Sequence, residues 1–375
     1  MNSSTTRFTA LDVFRGMTVC FMIIVNTPGS GNSTYSPLLH AHWNGFTPTD
    51  LVFPSFMFAV GNAMSFVMRR WENLLQSQVV WKILKRTLLI FILGYLMYWF
   101  PFVHYNDQHQ LVGNPFSHTR VMGVLQRIAL GYGIGALMIY YLKPRASYIL
   151  AIVLILIYWA ILLLFGDSAD PFNMLTNAGN KLDMRLLGPN HLYHGEGVPF
   201  DPEGLLSTLP AIANVVFGYA AGRWIQQKGK DYEGLAKLLL AGCVLIFVAL
   251  CWNNFFPINK KLWTGSFVFL TVGIDCIILS ALIYLIDFRK KTKWTYFFEV
   301  FGRNPLFIYL LSEIGATLLY FFSVKGNGSV YHWVYENIFS HAGAYFGSFL
   351  FAISFMMLCW LVGYVLDRRR IYVRV

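Results

Sequence analysis

Long apolar runs separated by short polar ones dominate the chain. They lie at Leu11–Thr27, Asp50–Met68, Leu84–Phe102, Val121–Leu142, Tyr148–Phe165, Gly204–Ile225, Leu235–Trp252, Gly265–Ile286, Val300–Phe322 and Ala344–Leu366. Each approaches the ~20 residues a helix needs to cross the hydrocarbon core of a bilayer. The pattern predicts an all-α polytopic membrane protein with about ten transmembrane helices. The third run starts amphipathically, with Trp81, Lys82, Lys85 and Arg86 ahead of its apolar part. Residues 1–375 read as one transmembrane domain, without internal repeats or low-complexity segments. Met1–Ala10 is polar, Asp12 and Arg15 interrupt the run behind it, and no small-residue cleavage site follows. A retained first span is therefore expected, not a signal peptide.

Composition agrees with that pattern: 56% of the 375 residues are hydrophobic and 13% charged, against about 25% charged in soluble domains. The 33 Phe, 21 Tyr and 11 Trp suit a chain with aromatic belts at two membrane interfaces. The net charge of +11 does not point to nucleic acid, because the cations fall mostly in short loops. One set of span ends carries Arg7, Arg69, Arg70, Lys82, Lys85, Arg86, Lys143, Arg145, Arg223, Lys228, Lys230, Lys237, Arg289, Lys290, Lys291, Lys293, Arg303, Arg368, Arg369, Arg370 and Arg374. The opposite ends carry only Arg120, Lys181, Arg185, Lys260, Lys261 and Lys325. By the positive-inside rule both termini are expected to be cytoplasmic. Cys20, Cys243, Cys251, Cys276 and Cys359 all sit in apolar stretches without ligand spacing, which argues against a disulfide framework or a zinc site.

The longest outward connection, about residues 166–203, is rich in Asp, Asn, Gly, Pro and His. Unstructured connections of that length are usually functional or disordered. Arg185–Tyr193 and Phe200–Gly204 favour an ordered one. Asp201-Pro202-Glu203 also reads as a helix start, with Asp201 as N-cap.

The densest polar segment is His40-Ala-His-Trp-Asn-Gly-Phe-Thr-Pro-Thr-Asp50, between two apolar runs. Polar groups at a membrane edge must be hydrogen-bonded, hydrated or used. The imidazoles of His40 and His42 can each act as general base or nucleophile. Asp50 can hold one ring nitrogen and set the tautomer. Trp43 offers a flat face to a sugar, and Asn44, Asn26 and Thr47 offer hydrogen bonds to hydroxyls or an oxyanion. Metal binding by His40, His42 and Asp50 is the weaker reading, for want of a third ligand at metal spacing. No metal is expected.

Several charged groups fall inside the spans. Asp12 and Arg15 share a helical face and can neutralise each other, or Arg15 can meet an anionic cofactor. Gln126 and Arg127 lie near a span end, from which Arg127 can snorkel. Arg303-Asn304-Pro305 opens the ninth span. Asp275 and Glu313 fall mid-span, where a carboxylate normally faces a cavity or a partner.

Leu11-Asp-Val-Phe-Arg-Gly16, Val25-Asn-Thr-Pro-Gly29, His40–Pro54, Gly123-Val-Leu-Gln-Arg127, Leu186–Tyr193, Phe200–Gly204 and Pro257–Trp263 together resemble the heparan-alpha-glucosaminide N-acetyltransferase family, in its order. The resemblance implies a transmembrane enzyme that moves acetyl from cytoplasmic acetyl-CoA to an amino sugar on the far side. It assigns the active-site histidine to His40, with Asn26 and Asp50 beside it as catalytic residues, and leaves His42 in a variable position. Expected substrate contacts are Trp43, Asn44, His191, Asp201, Glu203 and Lys260. Expected cofactor contacts are Arg15, Gln126, Arg127 and Asn304. The resemblance is to a short bacterial form, lacking the N-terminal extension and the additional span of the lysosomal enzyme. Leu311-Ser-Glu313 stands where the animal enzyme has Gly-His-Glu. The expected setting is a bacterial inner membrane, with the 166–203 loop periplasmic. Expected partners are acetyl-CoA, the amino sugar and the lipid bilayer, and a homodimer is compatible with them. The rival reading is a secondary transporter of an amino sugar, which would usually show matching repeats that this chain lacks. A non-catalytic scaffold would leave the outward motifs unexplained.

Overall fold

The computed structural model describes residues 8–108, 110–229, 231–324 and 328–373. Arg7, Lys230, Lys325 and Arg374 of the charge pattern, and most of Met1–Ala10, lie outside the described residues. The described chain is almost entirely helical. Its helices are α1 (Thr9–Asn26), α2 (Pro48–Trp71), α3 (Gln76–Trp99), α4 (Val124–Tyr141), α5 (Pro144–Phe165), α6 (Ala178–Leu186), α7 (Thr208–Lys228), α8 (Tyr232–Trp252), α9 (Gly265–Ile283), α10 (Thr295–Arg303), α11 (Pro305–Phe321), α12 (Val330–Val334) and α13 (Ala344–Arg368). A small antiparallel hairpin, β1 (Val103–Tyr105) with β2 (Leu111–Gly113), pairs Val103 with Gly113.

Six helices, α1, α2, α5, α8, α9 with its terminal π turn, and α13, are long and apolar enough to cross a membrane. The pair α10–α11 makes a seventh if counted as one broken span. The chain is thus an all-α polytopic membrane protein. α3, α4 and α7 are helical where spans are expected but less apolar. They carry Lys82, Lys85 and Arg86, Gln126 and Arg127, and Asn214 and Arg223 respectively.

The elements differ from the sequence pattern in three places. The ninth span is not straight: α10 and α11 meet at 83°. Pro305 has no N–H to continue the ladder and disfavours helical backbone at the residue before it, and Asn304 leaves the helix at φ −130°, ψ 49°. Asp201 does not cap the sixth span. α7 begins at Thr208, and the Asp201 carboxylate instead binds Arg120 and the Glu203 N–H. The long connection is built and contains α6, whose first turn is capped by Asn177 (Asn180 N–H to Oδ1, 2.9 Å).

The core is centred on α1, α2, α4, α7 and α9. Glycines let backbones touch there, as small residues do in membrane helix pairs. A Cβ at Gly61 would lie 1.9 Å from the Val215 carbonyl oxygen, and one at Gly218 2.1 Å from that of Phe58. Gly16 and Gly302 make the same arrangement between α1 and α10. α5 and α8 are peripheral: 22% of the apolar window is buried in each, against 61% in α2 and α9.

Candidate active site

The site grows from the first turn of α2. Thr47 is the N-cap, Pro48 follows it, and Asp50 occupies the third helical position. A carboxylate there is favoured by the helix dipole and by free N–H groups. Asp50 is 1% exposed. Its Oδ2 accepts from the N–H groups of Thr47 (3.0 Å) and Ala41 (3.1 Å) and from the Thr47 hydroxyl (3.1 Å). Its Oδ1 lies 2.7 Å from Nδ1 of His40. An ionised carboxylate only accepts, so Nδ1 carries the proton and Nε2 keeps its lone pair.

Lys260, in the connection between α8 and α9, brings Nζ to 3.0 Å from Nδ1 and 3.1 Å from Nε2 of the same ring. It stands 3.9 Å from Asp50 Oδ1. Burial pulls the Lys260 ammonium below the usual lysine value, although Asp50 and Glu203 act in the opposite sense.

These groups open on a cavity of about 320 Å³ also lined by Asn26, Tyr98, Arg120, Tyr193, Glu203, Tyr309 and Glu313. Arg120 forms its far wall. The guanidinium donates to Asp201 Oδ2 (2.9 Å) and Oδ1 (2.6 Å) and to Glu203 Oε2 (2.6 Å). It lies between the Tyr98 and Tyr193 rings, 4.8 and 4.7 Å from their centroids. Burial raises the Asp201 carboxyl in spite of Arg120. Burial also opposes ionisation of Glu203, but Arg120, Arg127 and Lys260 together hold it below the usual range. Of the two, Glu203 is the carboxylate that lines the cavity. At the inner end, Asn26 Nδ2 donates to Glu313 Oε1 at 3.0 Å, which supplies the mid-span carboxylate with a partner.

The structure thus gathers His40, Asp50, Asn26, Glu203 and Lys260, while Trp43, Asn44, His191 and Asp201 do not line the cavity. Trp43 donates to the Phe172 carbonyl (3.1 Å) and stands edge-on to Phe200. Asn44 Oδ1 accepts from Asn259 (3.1 Å). His191 Nδ1 is 2.7 Å from the Thr119 carbonyl. The His42 carbonyl accepts from Lys261 (2.9 Å), and its ring has no hydrogen-bond partner among the described residues. Arg120 and Tyr98 line the site although neither was among the expected residues.

The expected cofactor residues also separate. Arg15 donates to the Gly302 carbonyl and to Asp12 Oδ1 (2.8 Å), and lines a second cavity of about 600 Å³ with Asn62, Arg70, Arg303 and Tyr372. Asn304, 1% exposed, instead ties down the chain after α13, giving Nδ2 to the Ile371 carbonyl (3.0 Å) and accepting Val373 N–H (2.9 Å). Gln126 and Arg127 are fully buried in α4. Arg127 reaches Gly204 and Ser207 and lies over Trp263. The Gln126 amide has no hydrogen-bond partner among the described residues.

A third, largely apolar cavity of about 230 Å³ lies along α1. It shares Phe14 with the Arg15 cavity and Val25, Thr49 and Val52 with the His40 cavity. The three form a line from Arg15 to Asn26, residues roughly 16 Å apart along a helix axis.

Fold and site together define a polytopic membrane protein with a carboxylate-held histidine at one end of a line of internal cavities and arginines at the other. The family model for the heparan-alpha-glucosaminide N-acetyltransferase catalytic region matches residues 7–250, and the chain belongs to that family. Human heparan-alpha-glucosaminide N-acetyltransferase is 25% identical over 423 positions, covering 98% of this chain and 59% of the human protein. The mouse protein is 27% identical over 370 positions, covering 83% and 54%. The chain spans little more than half the length of these relatives.

Proposed function

We propose that the chain is an N-acetyltransferase that moves acetyl from acetyl-CoA to the amino group of glucosamine or of a terminal glucosaminide. The observation that carries this reading is the His40–Asp50 pair at a polar cavity that shares Val25, Thr49 and Val52 with an apolar cavity along α1. In the proposed orientation about ten spans cross a bacterial inner membrane with both termini cytoplasmic. The Arg15 end then faces the cytoplasm and the His40 end the periplasm.

The residues present suit the donor. Arg15, Arg70 and Arg303 offer cations to its phosphates at one mouth, and Phe14, Met17 and Val52 offer an apolar lining to the pantetheine arm. Acetyl-CoA supplies the thioester. The acceptor enters as its ammonium, which Glu203 attracts, and loses one proton to water. The amine nitrogen forms the C–N bond to the thioester carbon and passes its second proton to Nε2 of His40. The C–S bond breaks, and His40 returns that proton to the departing thiolate. Asp50 holds the ring and stabilises the transient imidazolium. Asn26 and Lys260, which both line the cavity, are the donors assigned to the oxyanion.

Liposomes with acetyl-CoA at the Arg15 face and labelled glucosamine at the other test the proposal. Acetylglucosamine is expected with the wild type, and about 10²–10⁴-fold less with His40→Ala. Labelled glucosamine crossing unmodified would instead establish transport. An acetyl group on His40 after exposure to acetyl-CoA alone would replace direct transfer by a two-step route through the imidazole.

A further inference from the structure

The largest of the cavities described, about 970 Å³, belongs to none of the foregoing. It lies among α5, α7, α8 and α9 and shares no lining residue with the three cavities along α1. Two of its walls, α5 and α8, are the peripheral helices, one packed on α7 and the other on α9. The space between them therefore opens sideways, toward the surroundings of the bundle.

Its chemistry is graded. Lys143, Arg145, Arg223 and Lys237 stand at the end formed by the α4–α5 and α7–α8 connections, and no carboxylate among the described residues lines the cavity. Lys237 has a partner outside it, Glu233, one turn earlier on α8. No carboxylate among the described residues pairs with the other three. Below the cations the wall turns apolar at Phe217 and Leu245.

We infer that this cleft binds one anionic phospholipid, its phosphodiester on Arg145 and Arg223 and an acyl chain against Phe217 and Leu245. Cations above an apolar wall, on the side open to the membrane, match a molecule with a phosphate at one end and hydrocarbon at the other. Three of the four rim cations have no carboxylate partner among the described residues, which favours a net negative headgroup over a zwitterionic one. A nucleotide fits less well, since the deeper wall offers hydrocarbon where a nucleotide needs polar partners.

The test is native mass spectrometry of the full chain in detergent, titrated with phosphatidylglycerol or phosphatidylcholine of the same chains. One phosphatidylglycerol is expected to bind about tenfold or more tightly than phosphatidylcholine. In the Arg145→Gln/Arg223→Gln double variant that preference is expected to vanish. Leu245→Trp, which fills the apolar part and leaves the charges, is expected to lose both lipids, and keeps the test decisive if the double variant fails to fold. Equal binding of the two lipids, or a preference that survives the double variant, would overturn the inference. So would release of the lipid by CoA, which would make the cleft a nucleotide site. Because no group of the His40 site takes part, this result and that of the acetyl-transfer experiment stand independently.

Discussion

Lys260 acts on His40 by charge as well as by contact. Its ammonium touches the imidazole edge that the proposed acceptor must approach, and burial makes it give up its proton at lower pH than an ordinary lysine. As pH rises, wild-type kcat/KM is expected to fall when Lys260 loses its charge. An arginine remains charged throughout that range, so Lys260→Arg is expected to carry its activity to higher pH, and Lys260→Met to lower it at every pH. Steady-state rates of the three proteins, followed from neutral into alkaline pH, check this, and coincident alkaline limbs would remove Lys260 from the mechanism. The far wall shows what sequence does not reveal at this scale. Arg120 is one more outward cation until its partners, 81 and 83 residues away, are placed beside it. Trp43 and Asn44 show the reverse: both are prominent in the sequence, and neither lines the cavity. A crowded polar segment marks where hydrogen bonds are needed, but not which side chains satisfy the backbone and which face a cavity.

At the level of elements, helix contacts rest on glycines whose hydrogens meet carbonyl oxygens. Gly218→Ala would push a methyl group into the Phe58 carbonyl, and neither backbone can retreat without moving a helix. A loss of about 1–3 kcal/mol is expected, seen as a lower thermal midpoint in detergent. Gly31→Ala is the control, since its Cβ would meet nothing within 4 Å. Equal midpoints for the two would show that α2 and α7 are not held by this contact. The helices were legible because a bilayer asks for uninterrupted apolar length, and α5, α8 and α9 meet that demand along the whole segment. α6 and the β1–β2 hairpin were not, because short polar elements are fixed by tertiary contacts. The angle at Asn304-Pro305 shows the limit within a span: the proline is visible in the sequence, while the direction of the following helix is set by what it packs against.

For the whole molecule, one buried carboxyl couples stability to pH. Burial pushes Asp183, in α6, up from 3.8 to about 7, against the pull of the Leu205 N–H and with the help of neighbouring Asp201. The folded protein therefore keeps a proton that the unfolded chain has released. The associated stability is complete below pH 3.8, and is lost as pH rises through about 7, on the order of 4 kcal/mol in total. Thermal midpoints of the wild type are expected to decline between pH 5 and 8. Asp183→Asn, which can still accept from Leu205, is expected to flatten that decline. Parallel curves for the two proteins would assign the pH dependence elsewhere.

The line of cavities along α1 has a thermodynamic consequence. Phe14 and Arg15 border it at one end and Asn26 at the other, and all three are carried by one uninterrupted helix. A rigid rod cannot shift at one end alone. If occupancy of the Arg15 end displaces α1, the affinity at the Asn26 end changes by some factor, and linkage requires the same factor in return. Donor and acceptor would then be coupled ligands of a single helix, and the chain would sense from either side of the bilayer whether the other is filled.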